Sequence, residues 1–285
     1  MIVYLNGSFI KKEDAHLSPA DRGFLFGDGI YEVIRFVEGR PVLATEHLER
    51  MDEGLEKLRI HLEAETRNEL KNLVIELLER NRLLSGQASV YIQITRGAVW
   101  PRAHTFPDGK VESTIFMSAS TFTPHTNLHQ TGVEVITLPD DRWMRCNLKT
   151  VNLLPNVLAK QRAVDAGVNS AIMIRDGVVT ESPNANIFGV KDGVLYTHPA
   201  NNLILNGITR GAVLRIAEKR DIPVRLNPIT EKQLYKMDEL FFTGTTTDIQ
   251  PIIKADGNEI GTGEPGEICR IIQEEYDLVL KGEVI

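Results

Sequence analysis

Five short segments hold residue types that could do chemistry. Arg145-Cys146-Asn147-Leu148-Lys149-Thr150 sets a lysine in a half-apolar extended stretch. An amine there can act as a nucleophile if its proton is removable near neutral pH, and partial burial lowers a lysine pKa. Thr180-Glu181-Ser182-Pro183-Asn184-Ala185-Asn186 is a polar loop carrying a carboxylate. Asn206-Gly207-Ile208-Thr209-Arg210 opens a helix, whose first N–H groups and positive dipole end favour an anion. Thr243-Gly244-Thr245-Thr246-Thr247 is a hydroxyl-rich turn after a buried strand, and Asp21-Arg22-Gly23-Phe24-Leu25-Phe26-Gly27-Asp28-Gly29 packs glycine and charge beside aromatics. Singly, each reads first as a turn, a helix cap or a solvated lysine.

The elements that must position these segments follow from periodicity. Residues 2–10, with Asn6-Gly7 in the middle, read as a β-hairpin. A strand is predicted over 29–37, with a turn at Gly39-Arg40. A helix begins near Thr45 and carries Leu48, Met51, Leu55 and Leu58; a second covers 67–82 with Leu70, Leu73, Val74, Leu77 and Leu78 on one stripe. Strands follow at 90–96 and 114–118. The Thr-, Pro- and Asn-rich stretch 120–127 reads as a linker. Beyond it, strands are expected at 132–138, 170–175, 178–180, 186–190 and 194–197, and helices at 153–166, 209–219 and 266–280. The fold class is α+β, with a small N-terminal α/β domain (1–119) and a larger C-terminal domain (128–285). A cleft between domains is the natural place for a site.

Composition excludes other classes. With 42% hydrophobic and 25% charged residues this is ordinary globular material, and a formal net charge of -7 without a basic run argues against nucleic acid. The two cysteines, Cys146 and Cys269, are too few for a disulfide framework or a cysteine metal site. The seven histidines are scattered without metal-ligand spacing, so no metal is expected. The N-terminus lacks the features of a signal peptide, and no apolar run is long enough to cross a bilayer. The expectation is a cytoplasmic protein without membrane or nucleic-acid partners.

In this order and together, the segments closely resemble the fold-type-IV pyridoxal-phosphate enzymes, from the first strand to the C-terminal helix. The most specific pieces are residues 21–35, the Lys149 block, Glu181 with Asn186, and Ile208-Thr209-Arg210. The resemblance implies a homodimer of two-domain chains with pyridoxal 5′-phosphate in the cleft between the domains. Lys149 matches the Schiff-base lysine, whose freed amine shuttles a proton between substrate Cα and cofactor C4′. Glu181 matches the carboxylate that pairs with the pyridine nitrogen and keeps the ring a good electron sink. Arg50, Ile208, Thr209 and Thr245 match phosphate ligands, and Leu205 the residue that packs on the ring.

Tyr31, Arg102 and His104 match the three groups that hold the substrate α-carboxylate in D-amino-acid transaminases. Thr95-Arg96-Gly97…Pro101-Arg102-Ala103-His104 is the mark of that subgroup, whose arginine and histidine reach in from the other protomer. The implied reaction is a ping-pong transfer from a D-amino acid such as D-alanine or D-glutamate to 2-oxoglutarate or pyruvate. A branched-chain L-amino-acid or (R)-amine transaminase is the alternative on the same fold. Three departures stand out: the loop 97–101 is slightly longer than in familiar members, and Asn184 and Gly244 stand where those members usually carry serines.

Overall fold

The computed structural model describes residues 1–283. The chain divides into two units: Met1–Thr123 together with Leu148–Asn152, and Pro124–Asn147 together with the chain from Leu153 onward. The linker predicted over 120–127 overlaps a strand that runs to Thr121 and a helix that starts at Thr126.

The first unit is built on a six-stranded antiparallel sheet. Asn6 and Gly7, with φ of 45° and 89°, close the two-residue turn between β1 (Ile2–Leu5) and β2 (Ser8–Lys11), the backbone that an Asn-Gly pair favours. α1 (Arg22–Phe26) is capped by the Asp21 carboxylate, which accepts from the N–H groups of Gly23 and Phe24. β3 (Gly29–Val37) has the expected limits. Its hairpin to β4 (Arg40–Pro41) turns at Glu38 and Gly39, both with positive φ, one residue earlier than expected. α2 (Ala44–Leu58), α3 (Ala64–Arg80), β5 (Gln87–Thr95) and β6 (Thr114–Thr121) complete the unit, in the strand order β2-β1-β6-β5-β3-β4.

Alternation along the strands builds the core. Ala88, Val90, Ile92 and Ile94 of β5 join Ile30, Ile34 and Phe36 of β3, under Leu48, Met51 and Leu55 of α2 and Leu70, Val74, Leu77 and Leu78 of α3. The helical residues recur at intervals of three and four, so each helix buries one stripe. Each large side chain so buried stabilises by about 1.5–3 kcal/mol. The same alternation puts Glu32 on the helix side of β3 and Tyr31 on the opposite face.

The second unit runs α4 (Thr126–Thr131), β7 (Val133–Pro139), α5 (Leu154–Asp165), β8 (Ser170–Arg175), β9 (Val178–Val179), β10 (Asn186–Lys191), β11 (Val194–Thr197), α6 (Ile208–Lys219), β12 (Val224–Arg225), α7 (Glu231–Leu234), β13 (Glu239–Gly244), β14 (Asp248–Ala255), β15 (Asn258–Glu259) and α8 (Glu267–Leu280). Its sheet has the order β12-β11-β10-β13-β14-β7-β8-β9, with β15 on β14. β7 pairs in parallel with both β14 and β8. β14 is absent from the expected strands because Pro251 lies inside it, and a proline argues against a central strand. Pro251 pairs with Phe241 and lies one residue ahead of the β7 ladder, which starts at Ile252. α6 and α8 pack against β13. No helix among the described residues is long and apolar enough to cross a membrane.

Candidate active site

Lys149 belongs to the first unit although the chain on either side of its segment belongs to the second. Leu148–Asn152 runs along β3: the Tyr31 N–H donates to the Lys149 carbonyl at 3.0 Å, the Val151 N–H donates to the Gly29 carbonyl at 3.1 Å, and Ile30 pairs with Thr150. Strand-like pairing fixes the direction of the side chain. Its Nζ lies 4.2 Å from the centroid of the Tyr31 ring, and Tyr31 stacks in turn on Tyr91 with centroids 5.6 Å apart. An aromatic face attracts a cation without taking its proton.

On the helix side of β3, Glu32 is fully buried and α2 supplies its partners. Arg50 donates Nε to Oε1 at 2.7 Å and Nη2 to Oε2 at 2.9 Å, and His47 Nδ1 lies 2.7 Å from Oε2. Burial pushes the Glu32 carboxyl up, but the Arg50 charge, the His47 and Arg50 hydrogen bonds and the Lys149 charge together hold it at about 2. Glu32 is therefore an anion that can only accept, so His47 Nδ1 carries the proton. Burial keeps His47 below the usual imidazole range, against the pull of Glu32. Arg50, the expected phosphate ligand, has two of its nitrogens on Glu32. Neither Glu32 nor His47 was among the expected site residues. An acid sharing the period-two face of Ile30 and Ile34 was the signal that could have found Glu32.

Arg102 and His104 are exposed, on the long connection between β5 and β6. Phe26 gathers them: the Arg102 guanidinium carbon lies 4.4 Å from its ring centroid, and the His104 ring is 5.5 Å away, tilted by 49°. Buried Arg22 ties the connection down from below, donating Nε to Asp28 at 2.8 Å and Nη1 to the Ala103 carbonyl at 2.7 Å. Arg96 grips the same Asp28 carboxylate with Nε at 2.8 Å and Nη2 at 3.0 Å. The dense 21–29 segment thus anchors the residue between Arg102 and His104. Neither has a hydrogen bond or ring contact with Tyr31, whose ring meets Lys149 and Tyr91 instead.

In the second unit Glu181 is buried just after β9. Its Oε2 accepts from Asn186 Nδ2 at 2.9 Å and from the Leu205 N–H at 3.1 Å, and its Oε1 accepts from Arg142 Nη1. Burial pushes the carboxyl up to about 7, against the pull of Arg142 and of the Leu205 N–H. Asn186 also donates to the Leu205 carbonyl at 2.8 Å, so Glu181, Asn186 and Leu205 form one bonded cluster. Arg142 was not among the expected site residues.

Ile208 and Thr209 are the first two residues of α6, and the Gly207 N-cap offers no side-chain cap. The leading N–H groups of a helix have no intrahelical partner. Thr209 is buried with Oγ1 3.4 Å from the Tyr276 hydroxyl. Gly244 ends β13, against which α6 packs, and Thr245 follows it in the turn. A Cβ at Gly244 would meet nothing closer than Thr247 Oγ1 at 3.4 Å, so there is room there. Arg210 Nε and Thr243 Oγ1, one residue beyond Thr209 and one before Gly244, are buried without hydrogen-bond partners. An uncapped helix start flanked by unpaired buried donors fits a bound anion. Asn184 is exposed, and its N–H donates to Ser182 Oγ at 3.3 Å.

Fold and site together define a class, the aminotransferases of fold type IV. A family model described as Amino-transferase class IV matches residues 29–255, and the chain belongs to that family. It is 42% identical over 284 residues to a D-alanine aminotransferase of Staphylococcus epidermidis, covering 99% of each chain. Among solved structures, the branched-chain amino acid aminotransferase of Escherichia coli aligns with a TM-score of 0.91 at 25% identity, over 100% of this chain and 96% of that one. The branched-chain aminotransferase of the thermophilic archaeon Thermoproteus uzoniensis, solved with norvaline, aligns with a TM-score of 0.87 at 28% identity, over 99% and 96%. The chain is an aminotransferase.

Proposed function

We propose that this enzyme binds pyridoxal 5′-phosphate and moves the amino group of a D-amino acid, such as D-alanine or D-glutamate, to 2-oxoglutarate or pyruvate in a ping-pong cycle. When bound, the cofactor supplies an aldehyde that takes up amines and a ring that withdraws electrons from the substrate Cα. Lys149 would hold that aldehyde, and its free amine would carry a proton to and from the substrate Cα. The Tyr31 face keeps the amine in place without competing for its proton. Glu181 serves the ring nitrogen, because a buried carboxylate near neutrality is stabilised by a cationic partner. Ile208, Thr209, Gly244 and Thr245 hold the phosphate with N–H and hydroxyl donors, and Arg50 supplies charge. Leu205 would line the ring, and Asn184 would stand at its edge.

One observation carries the D-selective reading: Arg102 and His104 are presented together on Phe26, with Arg22 bonded to the residue between them. A guanidinium and an imidazole so held suit a carboxylate. Their exposure supports delivery to the site of a second copy, where Tyr31 of that copy completes the trap. A homodimer is further supported by α5, whose Leu154, Val157 and Leu158 share a face and are 65%, 58% and 56% exposed. A cytoplasmic location is supported by the unpaired Cys146 and Cys269.

The test is a panel of paired D- and L-amino acids with pyruvate and 2-oxoglutarate as acceptors. Turnover of D-alanine with little of L-alanine or L-leucine is expected. Turnover of L-leucine but not D-alanine would move the enzyme to the branched-chain group, the reading favoured by its structural neighbours.

A further inference from the structure

After β7 the chain passes through Asp140-Asp141-Arg142, and the function proposed above gives these residues no part. Asp140 and Arg142 are both buried. Asp140 Oδ1 accepts from Arg142 Nε at 2.9 Å, and Oδ2 accepts from Arg142 Nη2 at 2.8 Å, a bidentate pair. Thr180 Oγ1 donates to Oδ2 at 2.7 Å and Arg175 Nη2 to Oδ1 at 3.0 Å. Arg142 Nη2 also reaches the Leu203 carbonyl at 3.1 Å, and Nη1 is left for Glu181 Oε1. The guanidinium is thus oriented by Asp140 and presented edge-on to Glu181.

We infer that Arg142, oriented by Asp140, is a positioning residue that fixes the direction and charge of Glu181 while leaving that carboxylate available to the cofactor ring nitrogen. The inference rests on Glu181 serving that nitrogen, as proposed above. A buried carboxylate without a partner takes up a proton rather than keep its charge. A lone buried Arg–Glu pair has the opposite fault, since the two charges satisfy each other. Sharing one guanidinium between two carboxylates avoids both. The charged and titratable groups acting on Glu181 from its surroundings are Arg142, Asp140, Arg210 on α6 and Cys146, with Arg175 behind Asp140. After burial, the strongest influence on Glu181 is the downward pull of Arg142, and Asp140 pushes the other way.

Opposite effects of two neighbours give a test that general damage does not mimic. The full-length protein is titrated with pyridoxal 5′-phosphate and with its deaza analogue, in which carbon replaces the ring nitrogen, across a range of pH. The ratio of the two affinities isolates the ring-nitrogen contact, because a loosened fold weakens both ligands alike. The wild-type ratio should favour pyridoxal 5′-phosphate by roughly tenfold or more, the size of a charge-assisted hydrogen bond, and should fall as Glu181 gains a proton. Arg142→Met should move that fall to higher pH, Asp140→Asn to lower pH, and Arg142→Lys should leave its midpoint in place. Shifts in the same direction, or unchanged midpoints in both Met and Asn variants, overturn the inference. If Arg142→Met does not fold, Arg142→Gln takes its place, with the same shift to higher pH expected and an unchanged midpoint overturning the inference. Glu181→Gln separates the two readings. If it leaves the ratio at the wild-type value, the role of Glu181 falls and this inference with it. If it collapses the ratio while Arg142 and Asp140 variants keep the wild-type midpoint, only this inference falls.

Discussion

Lys149 lies against the face of an aromatic ring, which fixes where its amine sits without tying it up in an ion pair. Lys149→Ala is expected to abolish the cofactor adduct trapped by borohydride, read by mass spectrometry of the intact protein. Retained trapping would move the attachment elsewhere. Gly244 offers a gain rather than a loss. Because a Cβ fits there in ordinary contact, Gly244→Ser should leave the melting temperature unchanged and tighten cofactor binding by roughly threefold to tenfold, the worth of one added hydrogen bond. The candidate roles of Lys149 and Glu181 came from the sequence because their surrounding residue types recur in a known order. Arg142 and Asp140 were not, because two acids and a base after a strand have the composition of a solvated turn. Only the fold makes that turn a buried clamp.

At the scale of elements, the β5–β6 connection depends on Arg22, a residue of the first helix. Removing its bond to the Ala103 carbonyl should free Arg102 and His104 while leaving Lys149 untouched. Arg22→Met is therefore expected to raise KM for D-alanine by roughly tenfold, as for loss of a charged hydrogen bond, with kcat changed much less. An equal loss in kcat would place Arg22 in the chemistry instead. The longer regular elements were readable: β3 and β8 keep their expected limits, and the five expected helices shift by at most a turn at either end, whereas the short α1, α4 and α7 were not expected. β14 was not, since Pro251 carries the signal of a break, and its place ahead of the β7 ladder is settled only by long-range pairing. Tyr31 and Glu32 are adjacent in sequence but lie on opposite faces of β3, which period-two alternation foretells. Their different partners, a lysine and a helix, it does not.

For the molecule as a whole, two buried carboxyls give stability opposite pH dependences. Glu32 is held at about 2, below its ordinary 4.5. Its contribution, about 3 kcal/mol by linkage, is present above pH 4.5 and is lost as pH falls through 2. Glu181 is raised to about 7, so its contribution is present below the ordinary carboxylate range and is lost as pH rises through 7. Melting temperatures of cofactor-stripped protein should therefore fall on both sides of a mildly acidic optimum. Glu32→Gln should flatten the acid limb and Glu181→Gln the other; unaltered limbs would refute these assignments.

The threading of Leu148–Asn152 into the first unit limits how this enzyme can be taken apart. Severed between Thr123 and Pro124, the first piece keeps the strand that grips the lysine but loses the lysine. The second keeps the lysine but loses the strand that aims it. Neither half can be inherited, swapped or redesigned as a working module, and a graft between relatives must carry residues 148–152 with the sheet they lie on.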